Sequence, residues 1–225
     1  MADSDISPEA ITASKKVLCA LLFTGILLQY AGRTSVSVVL LQLQDSAGNN
    51  TNTNVSKPKA EYSQFEVGVI LSSVYAGLLT SSFTGGFLAY RYSAMRVLLM
   101  SVGISSVVHC VAPVAFQRFE TAVTQRVLAG LAEGLSEPAV YGVLGEYMLP
   151  RQSARVAPYV FAGIYLGQFV GLISTGFITQ RLSWQVTFYV FARLYCKPQL
   201  ARQLTSSSLR GFRPLYQDPL RLAGR

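Results

Sequence analysis

The residues of this sequence that could do chemistry stand where water should be absent. Gln125–Gly142 reads QRVLAGLAEGLSEPAVYG, small and apolar almost throughout, yet it holds Arg126, Glu133 and Glu137. An ionised side chain at mid-membrane costs about 2.5–3.5 kcal/mol on insertion scales, and those that persist face a bundle interior and mark a solute or ion path. At about 100° per residue, Arg126 and Glu133 fall about 20° apart around a helix and Glu137 about 40° beyond, with Gly130 and Gly134 in the same sector. Seven residues rise about 10 Å, too far for a tight pair within one helix. Their partners are therefore expected on other helices or on a ligand; an ion pair that only fixes packing is the structural alternative.

Arg33 is the second buried-looking charge, inside the apolar run Val17–Gln42. A guanidinium fork matches carboxylate or phosphate geometry. A carboxyl beside it can carry a proton, since burial favours the neutral form and a nearby guanidinium the charged one. Arg33 and Arg126 are the candidates to hold a small anionic solute, with Glu133 and Glu137 as proton-exchanging neighbours. The alternative for Arg33 is a helix-end residue reaching out to the membrane surface. His109, beside Cys110 and before Pro113, reads as a packed, hydrogen-bonded residue, with proton relay as its other use. Glu146 is placed to meet Arg91 or Arg96.

These charges need helices to hold them. Of 225 residues 51% are hydrophobic and only 13% charged, about half the usual globular share of charge. Apolar runs at about 17–42, 65–90, 97–116, 122–148 and 156–180 are each long enough to cross a hydrocarbon core of about 30 Å. The sequence predicts an all-α, polytopic membrane protein with five complete transmembrane helices and a partial sixth at 184–192. Short links make successive helices antiparallel neighbours. Residues 1–16 read as a polar, disordered cytoplasmic terminus and 43–63 as a lumenal or extracellular loop, where Asn49 and Asn54 fit the glycosylation pattern. A signal peptide fits poorly, because the first apolar run continues past Arg33. With a cytoplasmic N-terminus, Lys15, Lys16, Arg91, Arg96, Arg151 and Arg155 lie inside and Lys57, Lys59, Arg118 and Arg181 outside, a modest positive-inside bias.

The net charge of +8 is mostly a property of the tail, since 193–225 carries six Arg, one Lys and one Asp. No basic stripe interleaved with aromatics appears elsewhere, so nucleic acid is not an expected partner. In that tail Arg193, Lys197 and Pro198 arrive where a sixth crossing needs more apolar residues. The sequence reading is a truncated or frame-altered end, or else an interfacial tail. Cys19, Cys110 and Cys196 have neither disulfide-framework nor metal-ligand spacing. No metal, cofactor or catalytic cluster is expected, and an enzyme is disfavoured. Gly163, Gly167 and Gly171 form a close-packing series.

Gly85–Leu98, GGFLAYRYSAMRVL, resembles the inner-loop signature between helices 2 and 3 of major facilitator transporters. Gly86, Leu88, Ala89 and Arg91 match it, whereas Tyr90 stands for the usual Asp, Ser93 for a Gly, and Ala94 and Met95 for a basic pair. Arg33 with the following TSVSVVLLQ, the run VGVILSSVYAGLLTSSFTGG, QRVLAGLAEGLSEPAVYGVLGEYMLP and SWQVTFYVF resemble the anion:cation symporters, relatives of sodium–phosphate cotransporters, vesicular glutamate transporters and sialin. Thr84 replaces a usual Pro and Glu137 a common aromatic. The likeness covers about residues 17–191.

The resemblance implies the N-terminal six-helix half of a twelve-helix fold, with the solute between the halves. It implies anion binding by Arg33 and Arg126, proton exchange at Glu133, and a gating loop at Gly86, Arg91 and Arg96. The expected activity is proton- or sodium-coupled symport of an organic anion or phosphate, with the bilayer, the solute, and a second half or second copy as partners. A non-transporting membrane fragment that acts on a partner is the alternative.

Overall fold

In the computed structural model, which describes residues 8–48, 62–181 and 184–194, every regular element is an α-helix. They are α1 (Pro8–Gly48), α2 (Gln64–Arg91), α3 (Ala94–Ala115), α4 (Phe119–Gly134), α5 (Ser136–Tyr147) and α6 (Pro150–Arg181), followed by α7 over 184–194. The spans Lys15–Gln42, Gln64–Arg91, Ala94–Ala115 and Pro150–Arg181 are long and apolar enough to cross a membrane.

Local sequence sets the helix ends. Pro8 and Pro150 occupy first-turn positions, where a missing N–H costs nothing. The Glu66 carboxylate accepts the Ser63 backbone N–H at 2.8 Å at the start of α2, half of a capping box. The Glu146 carboxylate accepts the Ala94 N–H at 3.1 Å at the start of α3. Glu146 therefore does not meet Arg91 or Arg96 as expected; it caps a neighbouring helix N-terminus, where backbone donors and the helix dipole favour an anion.

Several boundaries differ from the sequence reading. Helix α1 runs beyond both expected ends, so 8–16 and 43–48 are helical; polar residues continue a helix readily once its apolar centre is packed. The expected crossing at 122–148 is interrupted at Leu135, between α4 and α5. Pro138 has no N–H to give the Gly134 carbonyl, so the helical ladder breaks there and restarts. Leu135 keeps right-handed helical angles (φ −74°, ψ −24°), so the two pieces follow one another with little change of course. The expected partial helix at 184–192 extends to 194. Asn49, Asn54, most of the 43–63 loop and the tail from 195 lie outside the described residues.

Helix α1 packs along α6, and α2 along α4. Both contacts are made by glycines. A Cβ on Gly130 would strike the Val74 carbonyl, and one on Gly77 the Val127 carbonyl. A Cβ on Gly171 would stand 2.6 Å from the Ala31 carbonyl oxygen, so the 163–171 series closes on α1 as its spacing predicts. Gly130 and Gly134 close on α2, so these two carry helix packing, not ligand approach.

The interior is two apolar clusters separated by a polar layer. One joins Leu18, Leu22 and Ile26 of α1 to Leu98 and Val102 of α3 and Val140 and Val143 of α5. The other joins Val36 and Leu40 of α1 to Ile70 of α2, Phe116, Ala122 of α4 and Phe188 of α7. Between them, α1 contributes Gln29 and Ser35, α3 contributes Ser105 and His109, and α4 contributes Gln125, Arg126 and Glu133, all buried. The outer surface is apolar, with Phe83 of α2, Val107 of α3 and Phe169 of α6 exposed, as lipid contact requires of a helical bundle.

Candidate functional site

The polar layer is assembled from α1, α3 and the break between α4 and α5. On α1, Gln29, Tyr30 and Arg33 share a face at one- and four-residue spacings. At the α4–α5 break, Glu133, Ser136 and Glu137 do the same. Helix α1 is not packed closely against α4 or α5; long side chains bridge the interval. Arg33 Nη2 lies 2.6 Å from Glu133 Oε2, and Arg33 Nε donates to the same oxygen at 2.8 Å. The Tyr30 hydroxyl donates to Glu137 Oε1, and the Arg33 guanidinium sits over the Tyr30 ring, 4.6 Å from its centroid.

The helix break contributes its own polar groups. Gln29 Nε2 donates to the Ser136 hydroxyl at 2.7 Å and to the Glu133 carbonyl at 3.3 Å. The Ser136 hydroxyl also donates to that carbonyl. Gln29 and Ser136 thereby cover the Glu133 carbonyl beside the break, as burial of a backbone oxygen demands.

On the other side of Glu133 stands α3. His109 is fully buried. Its Nδ1 is 2.8 Å from the Ser105 carbonyl, and its Nε2 faces Glu133 Oε1 at 4.0 Å. Arg126, about two turns toward the other end of α4, donates from Nε to Gln125 Oε1 at 2.7 Å. Its guanidinium lies over the Phe116 ring at 5.3 Å, and Gln125 in turn donates to the Val108 carbonyl at 3.1 Å. Arg33 and His109 thus stand on the two sides of the Glu133 carboxylate.

Glu133 is the hub of this network. Its side chain is 1% exposed against 13% for Arg33, so the arginine is the more accessible member of the pair. Desolvating two charges is costly, and an ion pair this deep holds only while both members are present. A solute carboxylate or phosphate competing for the Arg33 fork would have to be compensated at Glu133. That exchange of partners is the chemistry the arrangement offers.

Arg33, Arg126, Glu133 and Glu137 thus all lie in or beside the polar layer. Arg33 is held by Glu133 instead of reaching to the membrane surface. Arg91 and Arg96 are exposed around the α2–α3 link, and Gly86 has open space where a side chain would be; these three are remote from the layer in sequence and make no contact with it. Sequence reasoning missed Gln29, Tyr30, Gln125 and Ser136. Spacing could have found two of them, since Tyr30 is three residues before Arg33 and Ser136 three after Glu133. Among the described residues no group of His, Cys, Asp and Glu could hold a metal ion.

The family model of the Major Facilitator Superfamily matches residues 22–195. Vesicular glutamate transporter 1 of Xenopus laevis is 27% identical over 173 residues, 74% of this chain and 30% of that protein. Sodium-dependent phosphate transport protein 1 of Rattus norvegicus is 29% identical over 144 residues, 64% of this chain and 31% of that protein. The chain thus spans less than a third of the length of these relatives. Its fold is similar to that of the peptide transporter POT, solved in complex with sulfate, with a TM-score of 0.69 at 19% identity over 94% of this chain and 44% of that one.

Proposed function

We propose, from the premise that this chain belongs to the Major Facilitator Superfamily, that it takes part in secondary active transport of a small anion, coupled to protons or sodium. The observation that carries the reading is the Arg33–Glu133 pair, buried between α1 and the α4–α5 break. Arg33 and Arg126 hold the anion. Glu133, with Glu137 beside Tyr30, changes charge as the anion arrives and leaves. The relatives named for glutamate and phosphate support a carboxylate or phosphate substrate, since both fit a guanidinium fork.

In this reading the N-terminus is cytoplasmic and the link between α1 and α2 faces outward. The α2–α3 link, with Gly86, Arg91 and Arg96, lies on the inner face and takes part in gating. The solute site is completed by a second helical bundle, supplied by another segment or by a second copy.

The test is uptake into proteoliposomes of glutamate and of phosphate under imposed proton or sodium gradients. Saturable uptake of one anion, driven by one gradient, is expected. Absence of both uptake and saturable binding for both anions would refute the reading in favour of a non-transporting membrane protein.

A further inference from the structure

Charges outside the polar layer are divided unevenly between the two ends of the bundle. Lys16, Arg91, Arg96, Arg151, Arg155 and Arg193 are exposed, and the fold brings them to one end. Their sequence neighbours Leu18, Met95, Met148 and Phe191 share a single core cluster, and Lys15 reaches Gln152 at 3.4 Å across the same end. From Lys15 onward, Glu146 is the carboxylate at this end among the described residues, and it is turned to the Ala94 N–H. The ion pairs among the described residues are made with Glu133, in the polar layer, and involve none of these cations. Glu9 stands further out, about 9 Å beyond Lys15 along α1. At the opposite end Glu66 and Glu120 stand against Arg118 and Arg181. One end is strongly positive and the other balanced.

Most of these arginines share a second feature. Phe87 precedes Arg91 by one turn, Met100 follows Arg96, Tyr159 follows Arg155 and Tyr189 precedes Arg193, and all four of these neighbours are exposed. Residues four apart lie on one helix face. Each pair therefore presents an outward guanidinium and, about 6 Å deeper in the bundle, an outward apolar or aromatic side chain. Hydrocarbon accepts the second and rejects the first, so the pairs mark the boundary between acyl chains and headgroups. Tyr90 and Tyr92, exposed on either side of Arg91, are amphipathic side chains suited to that depth. A basic face that only met water would need no such register. Arg181 lies over Phe177 at 5.2 Å at the other end, so that end also meets a headgroup layer, but without unbalanced charge.

We propose that the basic end of the bundle is a binding surface for anionic phospholipids: the guanidinium groups of Arg91, Arg96, Arg155 and Arg193 hold headgroup oxygens, and the residue one turn deeper lies against the acyl chain. A guanidinium fork matches the phosphate and carboxylate oxygens of such headgroups. Zwitterionic lipid offers a phosphate too but brings its own cation, so charge selects the anionic class. The bundle thereby gathers anionic lipid around one end, whether or not it moves an anion.

The test uses the full chain in phosphatidylcholine vesicles with a trace of spin-labelled lipid. Spin-labelled phosphatidylserine should be enriched in the motionally restricted lipid shell at least about threefold over spin-labelled phosphatidylcholine, within the strength of a few surface cations; equal enrichment overturns the proposal. Replacing Arg91, Arg96, Arg155 and Arg193 together by Gln should at least halve that preference, and an unchanged preference overturns it. Replacing the same four by Lys keeps the charge and should retain most of the preference, so a loss in the lysine variant as well would also count against the proposal. Arg118→Gln with Arg181→Gln, at the balanced end, should leave the preference as in wild type. Arg202, Arg210, Arg213 and Arg221 of the tail, changed together to Gln, should leave most of it; a preference that disappears with the tail arginines and survives loss of the other four assigns it to the tail and overturns the proposal. Sodium phosphate should reduce the preference no more than sodium chloride of equal ionic strength. A specific loss in phosphate would assign the arginines to free phosphate instead of lipid.

Discussion

Arg33 and Glu133, 100 residues apart in the chain, meet at 2.6 Å across an interval where their helices do not pack closely. Each is the chief neutralising partner of the other in an apolar surround. Removing one member of a buried pair typically costs about 3–5 kcal/mol, whereas replacing both by apolar residues of similar size is near neutral or stabilising. Arg33→Met and Glu133→Leu should each lower the thermal midpoint in detergent, and the double variant should recover most of the loss. A double variant as unstable as the sum of its parents would show that the pair is not the source of the effect.

Arg126 donates to Gln125 Oε1 and lies over the Phe116 ring, inside the polar layer. Under the proposed function its guanidinium helps to hold the solute. Arg126→Ala should still reach the membrane but lose saturable anion uptake by at least about tenfold, equivalent to about 1.4 kcal/mol of lost binding. Wild-type uptake by that variant would remove Arg126 from the site.

The two classes of glycine predict opposite outcomes. Gly130 has the Val74 carbonyl where its Cβ would be, and Gly86 has open space. Gly130→Val should separate α2 from α4 and cost several kcal/mol, in the range of about 1–3 or more for overpacking. Gly86→Ala should be neutral or slightly stabilising, since it fits a helix without a clash. Limited proteolysis of membranes carrying each variant distinguishes them.

Tyr62, beyond the start of α2, donates its hydroxyl to the Phe116 carbonyl at 2.8 Å. Burial, with the nearby charge of Glu66 adding to it, pushes its phenol up to about 12 from an ordinary value of 10.0. The folded chain holds this proton more tightly than the unfolded one. Its contribution is therefore complete below pH 10.0 and is lost as pH rises toward about 12. Tyr62→Phe should cost about 1 kcal/mol at neutral pH and flatten the alkaline fall in thermal midpoint. An unchanged alkaline slope in the variant would assign that slope to another group.

Glu146 caps α3 through the Ala94 N–H. Glu146→Ala should cost about 1 kcal/mol, while Glu146→Gln, which keeps an acceptor, should cost less. Hydrogen exchange at the Ala94 amide reads the difference; equal protection in both variants would exclude the cap.

The apolar runs, their lengths and their short links identify a helical membrane bundle from the sequence alone, because hydrocarbon solvent allows few alternatives to a helix of fixed minimum length. The same logic marks Arg33, Arg126, Glu133 and Glu137, since an ionised residue in such a run needs a compensating partner. The glycine series at 163–171 is equally legible, its period matching one helix face. What the sequence could not supply was the pairing. Angular arithmetic on one helix puts Gly130 and Gly134 in the sector of Glu133, but α2 packs onto that sector's edge and takes the glycines, leaving Glu133 to α1 and α3. Nor does any local pattern place His109 beside Glu133, or Gln29 over the break made by Pro138. These relations depend on the register and rotation of separate helices, which are set by the packing of whole faces and not by the residues that meet there. Composition fixed the solvent of each segment; only the tertiary arrangement decided which charge answers which.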